Sequence, residues 1–364
     1  MIVYKALHMQ GFFLSGFGDM HILIVYASSG RGLQKDALIL EQALSAMGHS
    51  CQPINLSPRP EWRSRLSQYR HKLIGQFLPD SLQSLYYRCR LLLQRFVPGK
   101  PSANIVIHLE NIHTAYLPIR AKHWLIPNQE WFVESRTPYL RYIDQVLCKT
   151  QVAVSIFSRL HTNAVYLGFS GLPTQAGPAP ADKNYHQAIH VAGNSQFKGT
   201  ATLVACWLKH PEWPTLVVVS QHVTKADSKA ENIVFLQNLT DEALANYWCQ
   251  SGFAVIPSEV EGYGQVLAEA MSYGCVTVTT DAPPMNELIR ENRGFLVPYS
   301  ETRKFRLGTR YLVSIEALET ALQKALATSE EDLERMSGIA ESWHQSNQAD
   351  FLNRLRAVTA QQAY

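Results

Sequence analysis

Two carboxylates, Glu261 and Glu269, stand with seven residues between them in "IPSEVEGYGQVLAEAMSYG", residues 256–274. Apolar sequence lies on both sides of them, and the pair straddles a turn broken by Gly262 and Gly264. A strand ending at "AVIPS" delivers the chain to a sheet edge. Two glycines there let the backbone approach a ligand closely and turn N–H groups toward it. A helix beginning near Gln265 aims its positive end at the same spot, which suits a diphosphate or a cluster of sugar hydroxyls. Glu269 falls about one turn into that helix. A carboxylate there can accept charge-assisted hydrogen bonds from both hydroxyls of a ribose.

Two other segments share the order of strand, glycine loop and helix. "HVAGNSQFKGT" (190–200) carries Gly193, Asn194 and Lys198. "HILIVYASSGRG" (21–32) carries Gly30 and Arg31 ahead of the helical pattern "QKDALILEQALSAMG". The three-glycine dinucleotide fingerprint is absent from the second, so a tight turn without a ligand remains an open reading of it.

These loops need an α/β scaffold, and the chain supplies two. Its 364 residues, 46% hydrophobic, suit two globular domains. Continuous apolar runs such as "ANIVIHLEN" (103–111), "KHWLIPNQ" (122–129), "DQVLCKT" (144–150) and "AVYLGF" (164–169) read as strands buried on both faces of a parallel sheet. "TLVVVS", "NIVFLQ", "GFAVIPS", "CVTVTT" and "GFLVPY" repeat the style in the second half. The expected fold is α/β, with two Rossmann-like domains facing a central cleft lined by strand carboxyl ends. The boundaries read as an extension at 1–19, a first domain at 20–170, a linker at 171–185 rich in Pro, Gly and Ala, a second domain at 186–340, and a C-terminal helix at 341–364 packing back across both domains. Residues 1–19 lack a clean cleavage signal and read as an extension or a mis-set start codon rather than a signal peptide.

Net charge is +3, too mild to argue for nucleic acid. Residues 59–100 depart from that average, with nine Arg/Lys against Glu61 and Asp80, and leucines and aromatics at helical spacing. This basic helical insertion is a solvated face, or a patch that rests on anionic lipid or meets a phosphate-bearing acceptor, with nucleic acid as the remaining reading. Six cysteines without metal or disulfide spacing read as buried free thiols in a reducing compartment. No apolar run reaches membrane-span length.

The stretch "PSEVEGYGQVLAEAMSYGCVTVTTDAPPMNELI" resembles the donor-binding motif of GT-B glycosyltransferases, in particular the large retaining group called family 4 or group 1. The resemblance extends over residues 186–299 and reaches the first half only as fold. It implies an enzyme, a glycosyltransferase that retains anomeric configuration without a metal or other cofactor. Its donor would be a nucleotide diphosphate sugar held by the second domain, and its acceptor a glycan, lipid-linked or other hydroxyl held by the first. It implies that Glu261 faces the transferred sugar, that Glu269 holds the ribose, and that Lys198 holds the diphosphate. Gly193, Asn194, Gly262, Tyr263, Gly264 and Gln265 fall in the matching donor loops, with Gly30 and Arg31 facing them from the first domain. A fixed cation is what this chemistry requires, because the departing diphosphate gathers negative charge as the glycosidic bond breaks.

The family pattern also has an arginine shortly after the first glycine, where this chain has Asn194. Arg31 or Arg159 could replace it. Members often place a histidine near a first-domain strand end against the transferred sugar. His113 is the candidate for that catalytic role, a core histidine being an equal reading of it, with His108 expected inside the sheet and Glu110 dependent on where the strand stops. Asn128 and Glu130 are acceptor-side candidates, each equally readable as packing or loop capping. Asn286 and Glu287 resemble the segment after the donor loop and read mainly as helix initiation. The resulting expectation is a cytoplasmic enzyme of bacterial polysaccharide biosynthesis, peripheral at the inner face of the membrane. A nucleotide-sugar binder without turnover, motivated by Asn194, and another GT-B enzyme such as a phosphorylase or epimerase stand as the alternatives.

Overall fold

A computed structural model describes residues 19–27, 31–56, 60–94, 101–171, 183–222 and 230–361. Gly30, the extension up to residue 18 and most of the expected linker lie outside the described residues. The chain divides into two compact units, one of residues 1–168 with 352–364 and the other of Phe169–Phe351.

The first unit is built on six parallel strands in the order β2-β1-β3-β4-β5-β6. These are β1 (His21–Tyr26), β2 (Ser50–Asn55), β3 (Ile105–Glu110), β4 (Lys122–Pro127), β5 (Gln145–Cys148) and β6 (Ala164–Tyr166). The central strands are apolar on both faces because helices cover both, and Ile22, Leu23, Ile24, Val106, Ile107 and Leu125 are inaccessible to solvent. Helix α1 (Arg31–Ala46) follows β1. It buries Asp36, whose carboxylate takes a hydrogen bond from the Lys149 ammonium just beyond β5.

The basic segment folds into two helices, α2 (Glu61–Phe77) and α3 (Asp80–Leu93), entered after Pro60 and Pro79. Leu78 is extended, at φ −110° and ψ 136°, because the proline after it disfavours the helical region and so ends α2. Their inner sides meet at the 2.7 Å hydrogen bond between His71 Nδ1 and the Tyr87 hydroxyl. Both then rest on a 3-10 helix at Glu134–Tyr142, where Tyr87 and Tyr139 pack edge to face. Helix α4 (Gln151–Phe157), capped by Thr150 Oγ1, connects β5 to β6.

The second unit repeats the plan with strands ordered β12-β11-β10-β7-β8-β9. They are β7 (Asn184–Gly193), β8 (Thr215–Ser220), β9 (Ile233–Leu236), β10 (Ser251–Ile256), β11 (Val276–Thr280) and β12 (Gly294–Val297). Between them run helices α5 (Thr200–Trp207), α6 (Asp241–Gln250), α7 (Gln265–Ser272) and α8 (Met285–Leu288). An antiparallel hairpin of β13 (Glu301–Phe305) and β14 (Gly308–Leu312) precedes α9 (Ile315–Leu326) and the long α10 (Glu330–Ala360). One face of the sheet packs Leu216, Val218, Phe253 and Val255 against Leu203 and Trp207 of α5 and Leu318 and Leu322 of α9. Each such side chain contributes about 1.5–3 kcal/mol of transfer free energy.

Only three cysteines, Cys148, Cys206 and Cys275, are buried; Cys51 and Cys249 are half-buried, and Cys89 is exposed on α3. The expectation of uniformly buried thiols fails at Cys89 because the leucines around it form an outer face.

Candidate active site

In the second unit the strand order reverses between β7 and β10, the adjacent pair whose carboxyl ends open the ligand crevice in doubly wound sheets. Both sequence motifs leave the sheet there. The chain departs β7 through Gly193, at φ +54°, and turns on a 3.0 Å bond from Ser195 N–H to the Ala192 carbonyl. It then reaches Lys198 and enters α5 through Gly199, at φ +68°. An added Cβ at Gly199 would lie 2.3 Å from the Pro257 carbonyl oxygen, so this loop touches backbone just past β10. The Glu259 N–H donates to the Phe197 carbonyl at 2.8 Å and ties the loops together.

Lys198 and Glu261 meet across this seam. The ammonium donates to Glu261 Oε1, and Ser258 Oγ donates to the same oxygen at 2.7 Å. The two side chains are only 14% and 10% exposed, which strengthens their attraction and fixes their geometry. Surrounding residues hold the pair in place. Thr279 and Thr280 of β11 donate at 2.7 Å to the carbonyls of Ile256 and Ser258. Arg310 of β14 binds the Glu259 carboxylate and lays its guanidinium 4.8 Å above the Phe197 ring. Beneath Lys198, His190 donates from Nδ1 to the Val255 carbonyl at 2.7 Å and accepts from Thr200 Oγ1 at 2.8 Å. Burial brings its pKa down to about 4, the bond to Val255 opposing that and nearby Lys198 reinforcing it, so the imidazole stays neutral and rigidly oriented.

Helix α7 is entered through Gly264, at φ +105°, and no side chain caps it. Glu269 lies half-buried on its second turn. Two residues of the expected donor loop turn elsewhere with their side chains. The Tyr263 hydroxyl is buried and donates to the Phe169 carbonyl at 2.7 Å, with Asn347 Nδ2 3.1 Å from it. Gln265 Nε2 donates to the Ser170 carbonyl at 3.2 Å. Asn286 of α8 holds Asp281 at 3.0 Å, and Glu287 lies in the first turn of the same helix.

A residue not singled out in the sequence stands beside the first loop. His222, just past β8, donates from Nε2 to the Asn194 carbonyl at 3.0 Å. Its only sequence signal was a position two residues beyond the apolar run "TLVVVS", which pairs with β7.

Most of the first-unit candidates lie around the carboxyl ends of β3 and β4, where Glu110 pairs with Pro127. His108 lies inside β3, fully buried, and accepts at Nδ1 from the His113 N–H at 3.1 Å. Its Nε2–H therefore points to His123 Nδ1 at 3.1 Å, and His123 Nε2 donates to the Ile119 carbonyl at 3.1 Å. Burial, with the two neighbouring imidazoles, holds His108 well below its usual pKa. His113 lies beyond the strand end and donates from Nε2 to the Leu109 carbonyl at 3.2 Å. Glu110 is the last residue of β3 and takes φ +64°, an uncommon value for a non-glycine residue. Asn128 Oδ1 accepts from Lys149 at 2.9 Å, Glu130 is buried, and Arg31 and Arg159 are exposed.

What the second unit brings together is a fixed ammonium, a carboxylate, glycine-opened backbone and a helix N-terminus at one sheet end. That set can hold a phosphate-bearing leaving group and stabilise the charge it gathers. Residues 189–314 match the family described as Glycosyl transferases group 1. Direct comparison with curated protein sequences finds no match. Among solved structures, sucrose-phosphate synthase from Thermosynechococcus elongatus is similar at TM-score 0.67 and 15% identity, over 94% of this chain and 98% of its own. Anabaena HepE, solved with UDP and glucose, is similar at TM-score 0.63 and 12% identity, over 94% and 99%. The lipopolysaccharide outer core galactosyltransferase WaaB is similar at TM-score 0.59 and 13% identity, over 93% and 99%. At such identities the likeness is one of fold, and the fold is GT-B.

Proposed function

We propose that this chain, a GT-B glycosyltransferase whose residues 189–314 form a group 1 glycosyltransferase domain, moves a sugar from a nucleotide diphosphate sugar to a hydroxyl of a glycan or lipid-linked acceptor. Configuration is retained and no metal takes part. The observation that carries this reading is the Lys198–Glu261–Ser258 cluster, held where β7 and β10 end and beside the start of α7.

In this mechanism Lys198 meets the donor diphosphate, and its attraction grows as the leaving group gains charge, so it lowers the barrier more than it tightens ground-state binding. The N–H groups at the start of α7 and along Gly262–Gly264 face the same oxygens. Glu269 accepts hydrogen bonds from the ribose. Glu261 orients Lys198 and faces the transferred sugar; within the first unit His113, just past β3, is the proposed catalytic residue. His222, its Nε2–H given to the Asn194 carbonyl, braces the first loop near where the family pattern has an arginine. The acceptor lies at the inner membrane face, where the chain works as a peripheral protein. A bacterial polysaccharide pathway is the setting proposed for it.

Calorimetric titration with UDP, GDP, ADP and dTDP sugars tests the reading, with hydrolysis followed in the presence of a chelator. One donor binds, and Glu269→Ala weakens it roughly 10- to 100-fold, the loss of charge-assisted hydrogen bonds worth about 1.5–3 kcal/mol. Hydrolysis persists in the chelator, and NMR of the released sugar shows the donor's anomer first. Binding without turnover, with or without acceptor, would instead favour the silent binder that Asn194 suggests. Failure of folded protein to bind any donor would refute the proposal.

A further inference from the structure

The helical pair of the first unit turns its oiliest side outward. On α2, Trp62, Leu66, Tyr69, Leu73 and Phe77 recur at helical spacing and are all exposed, Trp62 at 60% and Phe77 at 69%. At about 100° per residue they form one stripe. Arg65 and Lys72 lie along one edge of it, and Arg63 and Arg70 along the other. Helix α3 repeats the arrangement. Leu82, Leu85, Leu92 and Leu93 are exposed, Leu93 at 72%, with Arg88 on one edge and Arg90 on the other. The inner faces are occupied differently. Ser67 and His71 of α2, and Ser84 and Tyr87 of α3, contact each other or the 3-10 helix at Glu134–Tyr142. That contact fixes both apolar stripes on the sides away from the short helix.

Exposed apolar side chains scattered singly are ordinary, but nine on two adjoining helices with cations on both edges are not. We infer that the outer faces of α2 and α3 form a docking surface for an anionic lipid bilayer. The stripes enter the headgroup–acyl boundary, and the flanking Arg and Lys meet lipid phosphates. Charge complementarity selects this occupant. The two helices carry six Arg/Lys against Glu61 and Asp80, a net +4, whereas the whole chain carries +3. The basic excess is therefore concentrated on this pair. A planar slab requires the order cation, apolar, cation across a helix lying in it, and both helices show that order independently. Trp62 and Tyr69 add amphipathic rings suited to the headgroup level. The inference deepens the peripheral-membrane part of the function proposed above and stands on this surface alone, not on the donor site.

Co-sedimentation of the full chain with vesicles tests it, using phosphatidylcholine alone and phosphatidylcholine with about one-third phosphatidylglycerol. The chain should pellet with the anionic vesicles, weakly with the neutral ones, and less as salt rises. A variant with Arg65→Glu, Lys72→Glu and Arg88→Glu should bind at least about 100-fold more weakly. A variant with Trp62→Ser, Phe77→Ser and Leu93→Ser should lose binding while keeping its circular dichroism, since all three side chains are exposed. Wild-type protein left in the supernatant by anionic vesicles, or either variant binding as wild type does, overturns the inference. So does a dimer in sedimentation equilibrium that the serine variant dissolves while no vesicle binds, because the face would then meet a second copy of the chain. Donor titration of the same preparations separates the two proposals. Loss of donor binding with vesicle binding intact would refute the enzymatic reading and leave this surface standing.

Discussion

Gly199 and Gly193 both hold positive φ, +68° and +54°, yet alanine should act very differently at the two positions. The left-handed conformation costs an L-residue about 1–2 kcal/mol, and a stiffer unfolded chain returns about 0.4–1 kcal/mol. At Gly193 an added Cβ meets nothing within 4 Å, so Gly193→Ala should lose only about 0–1.5 kcal/mol. At Gly199 the Cβ would stand 2.3 Å from the Pro257 carbonyl oxygen and 2.9 Å from Pro257 Cγ. Backbone must then move, adding about 1–3 kcal/mol of overpacking. Gly199→Ala should therefore lose about 2–4 kcal/mol. Native-state hydrogen exchange at rising urea, read on peptides covering β7 and β10, measures this within the second unit. The same displacement separates Lys198 from Glu261, so donor affinity should fall with stability. Equal losses at the two glycines, or a loss under about 1 kcal/mol at Gly199, would refute the claim that close approach of the two loops builds the site.

Lys198→Met removes the cation from a nearly buried carboxylate and should cost about 3 kcal/mol, as should Glu261→Gln for the reverse reason. The double variant should recover about 1–3 kcal/mol relative to their sum, and additive losses in the same exchange measurement would deny the coupling. Acid should destabilise the fold early. His190 and His344, the latter buried on α10, are both lowered to about 4 by burial, so the unfolded chain binds their protons more tightly than the folded one. Their contribution is fully present above about pH 6.5 and is lost as pH falls toward 4, reaching about 2 kcal/mol for each at pH 5. Urea midpoints measured between pH 7.5 and 4.5 should fall accordingly, with a shallower slope in His190→Gln. An unchanged slope would show that His190 does not set it.

The continuous apolar runs read as strands because both faces of each sheet are covered, which leaves no polar alternation to confuse the pattern. β2 was missed for the opposite reason. It is an edge strand, it contains Pro53, and none of its six residues is fully buried, so "SCQPIN" lacks the apolar run that marks the other strands. The β13–β14 hairpin escaped likewise, β13 being largely exposed and charged. Tyr263 shows another limit. Its place between two glycines suggested a ligand contact, but only packing against Phe169 revealed where the hydroxyl goes.

What the sequence by itself determined is local. The apolar runs set the strands, the prolines set the starts of α2 and α3, and the glycines with Glu261, Glu269 and Lys198 mark two loops suited to a phosphate-bearing ligand. What the tertiary structure decided is which distant residues share a point in space. Lys198 meets Glu261 across 63 positions, Arg310 meets Glu259 across 51, and Lys149 meets Asp36 across 113. His222 joins Asn194 only because β8 lies beside β7. Periodicity records which face of an element is buried. It carries no record of which strand lies alongside, and that is settled by the order in which parallel strands pack to bury the whole core.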